Sequence, residues 1–279
     1  MQRSIERILK SKVATDGAGV KINRNIVGED LTFFDPFLML DEIYSDDPDD
    51  YIGGFPEHPH RGFETVTYML DGKMRHFDHL GNEGMLGPGG MQWMTAGRGV
   101  LHSEMPMQES GRLHGFQLWI NLSSSEKMTD PNYQDIPKDL IPVIKNRENF
   151  SVKILAGDFL SKGQSVKGPV SGINVEPDIF DVHIKAHTLE IPTKVEKKVL
   201  IYVYEGCVGV AGQNIKSQEM GVLSSGDSVV FTTEVSSKFL FLSALPLREP
   251  IASWGPFVMN TLDEVKEAIE DFKSGKLIG

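Results

Sequence analysis

The sequence predicts an all-β protein built from two copies of one β-rich unit. Twenty-eight glycines and fifteen prolines are spread along the 279 residues, and this composition favours many short strands joined by turns. A strand-like run at 64–70 ends at Asp71-Gly72, and a second run at 199–204 ends in the same way at Glu205-Gly206. Two matching strand-and-turn units are the simplest interpretation of this pattern.

We expect two domains, with residues 1–135 forming the first and residues 136–279 forming the second. Residues 123–149 hold three consecutive serines and three prolines, a composition typical of a connecting segment. The two units match in a further turn, because the turn at 225–227 precedes a strand-like run as the turn at 87–90 does.

A few short helices are expected, and one of them can be placed at the end of the second domain. Thr261 and Glu264 form a capping box, in which the hydroxyl and the carboxylate each satisfy a free backbone amide. Gly275 follows as a stop signal. The apolar side chains that should pack against a sheet are those of Leu262, Val265, Ile269 and Phe272.

The composition argues against several classes of protein. The formal net charge of −11 disfavours a nucleic-acid binder, since phosphate binding needs a basic surface. The single cysteine, Cys207, cannot form an internal disulfide or a thiolate zinc site, which fits a reducing compartment. No apolar signal core is present, and no apolar run reaches the ~20 residues that span a membrane. We therefore expect a cytoplasmic protein (or a nuclear one in a eukaryote) with neither a membrane nor a nucleic-acid partner.

The residues that carry chemistry are two pairs spaced for β-strands. His58 and His60 lie two apart, as do His102 and Glu104, and residues two apart in a strand point to the same face. Two such strands brought together aim three imidazoles and a carboxylate at one point. A single His-x-His pair is a weak signal, but a second pair with matching spacing predicts a divalent-metal site.

The residues alone leave the metal and the fourth ligand open. Imidazole and carboxylate donors suit Fe, Mn, Co, Ni, Cu or Zn, and a thiol-free set rich in histidine is typical of non-haem iron sites. Glu64 competes with Glu104 for the carboxylate position, because it follows the His-x-His pair with the same parity. Four protein ligands on an octahedral ion would leave two positions for water, dioxygen or a chelating substrate.

The remaining histidines are expected to have other roles. His76 and His79 lie near a predicted turn, where they should be solvent-facing or hydrogen-bonded. His114 begins a strand and is a candidate for orienting a ligand or a substrate. We interpret His183 and His187 as structural. Residues that could line a pocket are Arg61, Arg98, Trp93 and Trp119. For both tryptophans core packing is the simpler role.

The second unit lacks the metal motif. Aligning the two units on their turn glycines, 72 and 206, places Pro192 and Lys194 at the positions of the His-x-His pair. Neither side chain binds a metal as histidine does. One metal-competent unit and one degenerate unit are therefore expected.

These motifs resemble the pirin family, whose members are bicupins of the cupin superfamily. The similarity covers nearly the whole chain, with the most specific motifs in the first half and the least recognisable part at about 130–200. The stretches that carry it are HPHRGFE at 58–64, QWMTAGRG at 92–99, HSEMP at 102–106, SSEKM at 124–128, PLREP at 246–250 and GPFVMNT at 255–261.

The resemblance implies two cupin-type β-barrel domains of the double-stranded β-helix (jelly-roll) type. In this family only the N-terminal domain binds metal, usually iron as Fe(II) or Fe(III). The family's ligands correspond to His58, His60, His102 and Glu104 in this sequence, so the resemblance favours Glu104 over Glu64.

The resemblance also implies two functions. The preferred one is a quercetin 2,3-dioxygenase activity, which opens a flavonol (or another chelating phenol). A carboxylate at the site is the natural base for the 3-hydroxyl proton, and we expect Glu104 in this role with Glu64 as the fallback. The alternative is a redox-sensing protein that acts through a protein partner as a transcriptional or metabolic co-regulator. The basic loop of the animal members is not matched here, since the acidic residues of 46–50 accompany Lys21 and Arg24.

Overall fold

The computed structural model describes residues 1–26, 31–146, 149–161 and 163–278. Within them the chain forms 26 strands, three short 3-10 helices and one α-helix. It divides into two compact units that are each discontinuous in sequence. The first barrel comprises residues 12–138 and 247–279, and the second barrel comprises residues 1–11 and 139–246. The predicted all-β fold with two barrels is confirmed.

The first barrel consists of two antiparallel sheets that share a core. Its seven-stranded sheet has the spatial order β12 (Asn132–Ile136), β9 (Met91–Thr95), β6 (Phe63–Asp71), β11 (Leu113–Asn121), β4 (Phe37–Ser45), β3 (Val20–Arg24) and β2 (Lys12–Asp16). Its four-stranded sheet has the order β5 (Phe55–His60), β10 (Val100–Pro106), β7 (Met74–Asp78) and β8 (Glu83–Leu86). Ile22 and Ile43 of the larger sheet pack with Met74 and Leu86 of the smaller one.

The second barrel has the same construction. Its seven-stranded sheet has the order β1 (Ile5–Lys10), β22 (Glu219–Leu223), β19 (Lys198–Glu205), β24 (Ser237–Ala244), β17 (Asp178–Ile184), β14 (Phe150–Ala156) and β13 (Val143–Asn146). Its four-stranded sheet has the order β18 (Thr188–Pro192), β23 (Ser228–Thr232), β20 (Cys207–Val210) and β21 (Gln213–Lys216), and a separate hairpin is formed by β15 (Asp158–Ser161) and β16 (Gln164–Lys167). Val199, Ile201 and Val203 alternate into the core along β19.

The strand order confirms the predicted duplication and corrects one detail of it. Gly72 and Gly206 join equivalent strands, and their left-handed φ values of 82° and 81° explain why both turns need glycine. The turn at 225–227 leads into β23, which pairs with β18 as β10 pairs with β5. That turn therefore precedes the counterpart of β10, whereas the sequence comparison had matched it with the turn before β9.

The two ends of the chain do not follow the predicted division into 1–135 and 136–279. β1 adds to the larger sheet of the second barrel by pairing with β22. Residues 247–279 belong to the first barrel, where the Arg248 amide donates to Asp35 and Glu249 accepts from the Ser124 amide. Local composition does not reveal such pairings, because they join residues more than a hundred positions apart.

The C-terminal segment forms a hairpin and the predicted helix. The hairpin is β25 (Ala252–Trp254) and β26 (Phe257–Met259), and the helix is α1 (Leu262–Lys273) with the Thr261–Glu264 capping box in place. Val265 and Ala268 are its buried residues and Ile269 packs beside Ala268, whereas Leu262 and Phe272 are 66% and 42% exposed. The predicted packing stripe is therefore correct in its middle and wrong at both ends. No helix in the described part of the chain is long and apolar enough to cross a membrane.

Candidate metal centre

Three histidine side chains converge inside the first barrel. β5 and β10 pair antiparallel with His58 opposite His102. His60 lies two residues along the same strand face as His58, so both rings reach the ring of His102. The Nε2 atom of His58 is 2.9 Å from that of His60 and 3.0 Å from that of His102. All three donor atoms lie within 4.8 Å of one another, which allows one metal ion to bind all three.

The hydrogen bonds around these rings fit a bound cation. Nδ1 of His58 lies 2.8 Å from the carbonyl oxygen of Pro56. A carbonyl can only accept, so Nδ1 carries the proton and Nε2 presents its lone pair. Three Nε2 atoms that face one another cannot satisfy one another fully, whereas a divalent metal accepts a lone pair from each. The residues present therefore fit a metal ion.

Burial keeps the two inner rings neutral, which is the form that binds a metal. Burial lowers the pKa of His60 well below its ordinary value, and the adjacent His58 ring lowers it further. Burial has the same effect on the pKa of His102, with added contributions from the neighbouring histidines. His58 is only half-buried, so the site is reached from its side.

Glu104 lies beside this cluster in the barrel interior. Its Oε1 accepts a hydrogen bond from the Thr67 hydroxyl at 2.9 Å, and its Oε2 accepts one from the Gln117 amide at 2.7 Å. Thr67 and Gln117 are cross-strand partners in the larger sheet, so they hold the carboxylate from one side. Among the described residues, the converging donor atoms are those of the three histidines and do not include Glu104.

Glu64 lies on the face of the larger sheet that points away from Glu104 and the histidine cluster. Its parity with the His-x-His pair fails because Gly62, with φ of 92°, separates β5 from β6. A Cβ at this glycine would lie 2.0 Å from the Val258 carbonyl oxygen, so no other residue fits. Glu64 accepts a hydrogen bond from Thr95, and it is three residues from the inward-facing Thr67. Burial raises the pKa of Glu64 to about 7, against the opposing effect of the Thr95 hydroxyl.

His76 is a neighbour of the cluster that the sequence did not predict. It lies on β7 opposite Glu104, and its Nε2 is 2.9 Å from Nδ1 of His102. The ring is 3% exposed and packs on Tyr133 with 4.7 Å between ring centroids, so it is hydrogen-bonded and not solvent-facing. Burial lowers the pKa of His76. The spacing of His76 and Asp78, two apart on a strand, was the available signal.

The other candidate histidines do not join the cluster. His114 pairs with Glu42, with 2.9 Å between Nε2 and Oε1. His79 accepts a hydrogen bond from the Leu101 amide. His183 contacts Asp181, and the ring of His187 stacks on Phe150, both in the second barrel. The structure thus places His76, and not His114, against a ring of the cluster.

One of the predicted pocket residues, Trp119, lies against the cluster. The Trp119 ring lies 5.2 Å from the His60 ring and 4.3 Å from the Phe63 ring, so it forms an apolar wall. Arg61 is buried, and its guanidinium donates to the carbonyl of Arg98 and to the carboxylate of Asp271. Trp93, in contrast, is a core residue at 1% exposure.

The second barrel carries apolar residues where the first has its polar cluster. In the first barrel His58 is paired with His102, and Glu104 with His76. By strand register, the matching pairs in the second barrel are Ile191 with Val229 and Phe231 with Val210. All four lie in the hydrophobic core. Pro192 and Lys194, the counterparts expected from the sequence, each lie one residue beyond the true position. The segment between this position and the aligned turn glycine is one residue longer in the second barrel than in the first.

The fold and the cluster define a two-domain cupin protein whose first barrel can bind a metal. Family models described as pirin and as the pirin C-terminal cupin domain match residues 19–120 and 179–278. The chain belongs to the pirin family, as its motifs predicted.

Its relatives match over nearly the whole chain. A Pseudomonas aeruginosa protein, whose name marks it as a candidate quercetin 2,3-dioxygenase, is 45% identical over 95% of this chain and 94% of its own length. A pirin-like protein of Caulobacter vibrioides is 43% identical over 98% of this chain and 99% of its own. The crystal structure of a quercetin 2,3-dioxygenase from Acinetobacter baumannii has a TM-score of 0.91 at 32% identity and covers 100% of both chains.

Proposed function

We propose that this protein is a metal-dependent dioxygenase with quercetin 2,3-dioxygenase-type activity on flavonols. The observation that carries the proposal is the convergence of three imidazoles at a site that opens on the His58 side. The names of the Pseudomonas and Acinetobacter relatives support the same activity.

We infer that His58, His60, His102 and Glu104 hold the metal, with iron as the first candidate. Histidine and carboxylate donors without thiolates also accept Mn, Co, Ni, Cu or Zn, so the metal must be measured. When bound, a redox-active divalent metal supplies a positive site for the chelating oxygens of the substrate and for dioxygen.

Glu104 is the proposed base for the 3-hydroxyl proton of the flavonol. Thr67 and Gln117 each donate one hydrogen bond to it and so fix its orientation. An ionised carboxylate has about four lone-pair sites, so both bonds leave it able to accept a proton. A positioned general base of this kind contributes about 10²–10⁴-fold to the rate.

An aromatic wall beside the cluster suits a planar, apolar substrate. Trp119 and Phe63 pack on each other and against the His60 ring. Aromatic side chains stack on aromatic ligands, and they keep water away from one side of the site. A flavonol bound from the His58 side would meet this wall with its ring system.

Metal analysis of the purified protein, combined with oxygen uptake on quercetin and a small panel of chelating phenols, tests the proposal. We expect iron near one ion per chain, loss of both metal and activity in His102→Ala, and a fall of roughly 10²-fold in Glu104→Gln. Glu64→Gln is the matched control and should retain activity. Equal oxygen uptake by the wild type and His102→Ala would contradict the proposal.

A second candidate function, a sensor read by a protein partner, is favoured by one contact. Arg61 follows His60 directly and binds Asp271 of α1 at 2.9 Å, so a change at the metal has a path to this helix. Hydrogen exchange of α1 in the ferrous and ferric protein tests it. Different exchange rates in the two states support sensing, and identical rates contradict it.

We also propose a cytoplasmic location. Cys207 is a free thiol, which is compatible with a reducing compartment. Fractionation of cells with detection of the native protein tests this location, and recovery in an extracellular fraction would contradict it.

A further inference from the structure

The second barrel contains a cavity of about 580 Å³ at the end of β18, the strand that corresponds to β5 of the metal centre. Ile191, the counterpart of His58, lines this cavity. The buried side chains that form its apolar lining are those of Phe159, Val170, Phe180 and Ile191. The cavity thus lies beside the position that the histidine cluster has in the first barrel. Pockets with an apolar lining and a few polar groups are the usual form of small-molecule sites.

A buried ammonium group faces this cavity. Lys197 lines it, with a side chain that is 4% exposed. Its Nζ donates to Oδ2 of Asp178 at 2.6 Å, and this is its one acceptor among the described residues. An ammonium has three N–H donors, so two of them lack an acceptor in the part of the chain that the structure describes. Buried donors normally find a partner, and the cavity is where a partner can sit.

The loop that presents Lys197 is held in place before any ligand binds. The Arg3 guanidinium is buried, donates to the Thr193 hydroxyl, and donates again to the carbonyls of Lys194 and Lys197. These bonds fix residues 193–197 at the end of β18. A fixed loop reduces the ordering cost of binding, which favours a specific site over a chance void.

We propose that this cavity binds a small organic anion, namely a carboxylate on an apolar ring body, and does so without a metal. The carboxylate accepts hydrogen bonds from the free N–H groups of Lys197, and the ring lies on the apolar lining. Lys194 and Lys167 also line the cavity, where Asp158 and Glu176 balance their charges, so the N–H donors of Lys197 carry the recognition. Lys194 pairs with Glu176, but both side chains are at least half exposed, so this ion pair competes only weakly with a ligand. Lys197, paired with Asp178, thereby supplies two fixed N–H donors to a carboxylate in the barrel that lacks the histidine cluster.

Calorimetric titration of the metal-loaded, full-length protein with 2-naphthoate tests the proposal. We expect saturable binding of one molecule per chain, and binding of neutral 2-naphthamide that is at least about tenfold weaker. His102→Ala should bind 2-naphthoate like the wild type, because the cavity lies in the other barrel. Absence of saturable binding, equal affinity for the amide, or loss of binding in His102→Ala would each overturn the proposal.

Two variants locate the ligand within the second barrel. Lys197→Met alone would leave the Asp178 carboxylate without its ammonium partner, so the double variant Lys197→Met/Asp178→Asn is used. This double variant should weaken 2-naphthoate binding by about tenfold or more. Ser171→Trp places a large ring at the exposed margin of the cavity and should block binding while keeping every charge. Wild-type affinity in both variants, with the fold verified by circular dichroism, would place the ligand elsewhere and overturn the proposal.

Discussion

Nε2 of His76 lies 2.9 Å from Nδ1 of His102, and both rings are buried. Because Nε2 of His102 faces the other two histidines, this bond fixes both the rotation of the His102 ring and the nitrogen that it presents to a metal. His76 is itself held by the ring of Tyr133. The candidate metal centre therefore has a supporting hydrogen bond behind His102, one of its proposed ligands.

Replacing His76 by Leu should weaken metal binding by about 10–100-fold, because the His102 ring would lose the bond that orients it. Competition with a chromophoric chelator measures this affinity directly. His76→Gln keeps a hydrogen-bonding group and should recover part of the loss. His114→Gln is the matched control, since that ring pairs with Glu42 and not with the cluster. Wild-type affinity in His76→Leu would show that His76 only packs.

Glu64 should make the first barrel less stable as the pH rises. Its folded pKa of about 7 lies above the ordinary 4.5, so the folded state binds the proton more tightly. The stability it contributes is complete below about pH 4.5 and is lost as the pH rises through 7. Glu64→Gln mimics the protonated form, so relative to the wild type it should gain about 2–3 kcal/mol between pH 5 and pH 8.

Urea unfolding of both proteins at these two pH values measures the difference. Glu83→Gln, at an exposed position on β8, removes a carboxylate of the same barrel and serves as the control. A difference between Glu64→Gln and the wild type that stays constant with pH would show that the Glu64 carboxyl titrates normally.

The histidine pairs could be found from sequence because their signal is local. Within one strand the alternation of faces is fixed, so His58 with His60 and His102 with Glu104 keep their relation wherever the strands lie. Glu64 shows the limit of the rule. Gly62, which has a left-handed φ, separates the strand of His58 and His60 from that of Glu64. The even spacing between Glu64 and the two histidines therefore does not place them on one face.

The features that sequence did not reveal depend on pairing between distant strands. His76 gains its role only when β7 lies beside β10, and the run around it looks like a turn in isolation. The alignment on the turn glycines placed the counterparts of His58 and His60 one residue too far along the second barrel. A one-residue difference in loop length cannot be seen without the strand register. The N-terminal segment belongs to the second barrel and the C-terminal segment to the first. This arrangement likewise depends on contacts between distant residues, such as that of Arg248 with Asp35.

Lys127 should be essential for the stability of the first barrel. Its buried ammonium donates to the carbonyls of Gly62 and Val258 at 2.8 and 2.9 Å and to the Asn121 side chain at 2.7 Å. Burial lowers the pKa of Lys127 to about 8. Lys127→Met leaves three buried acceptors without this donor, and we expect a loss of about 3 kcal/mol of unfolding free energy.

The same variant should also bind metal more weakly, because Gly62 anchors the turn that follows His60. Thermal unfolding and chelator competition provide the two measurements. Lys138→Met, an exposed lysine in the same barrel, is the control. If Lys127→Met matches that control in stability, its three hydrogen bonds contribute nothing net.

Arg61 and Asp271 should be energetically coupled across the first barrel. Their side chains are 5% and 26% exposed, so the 2.9 Å ion pair is better shielded from water than a surface pair. A double-mutant cycle with Arg61→Met and Asp271→Asn should give a coupling free energy of about 1–2 kcal/mol in thermal or urea unfolding. Glu267→Gln, on the exposed face of α1, should instead be additive with Arg61→Met. Additivity in the Asp271 cycle would mean that the loop after His60 and α1 are energetically independent, and the sensing candidate would lose the contact that favours it.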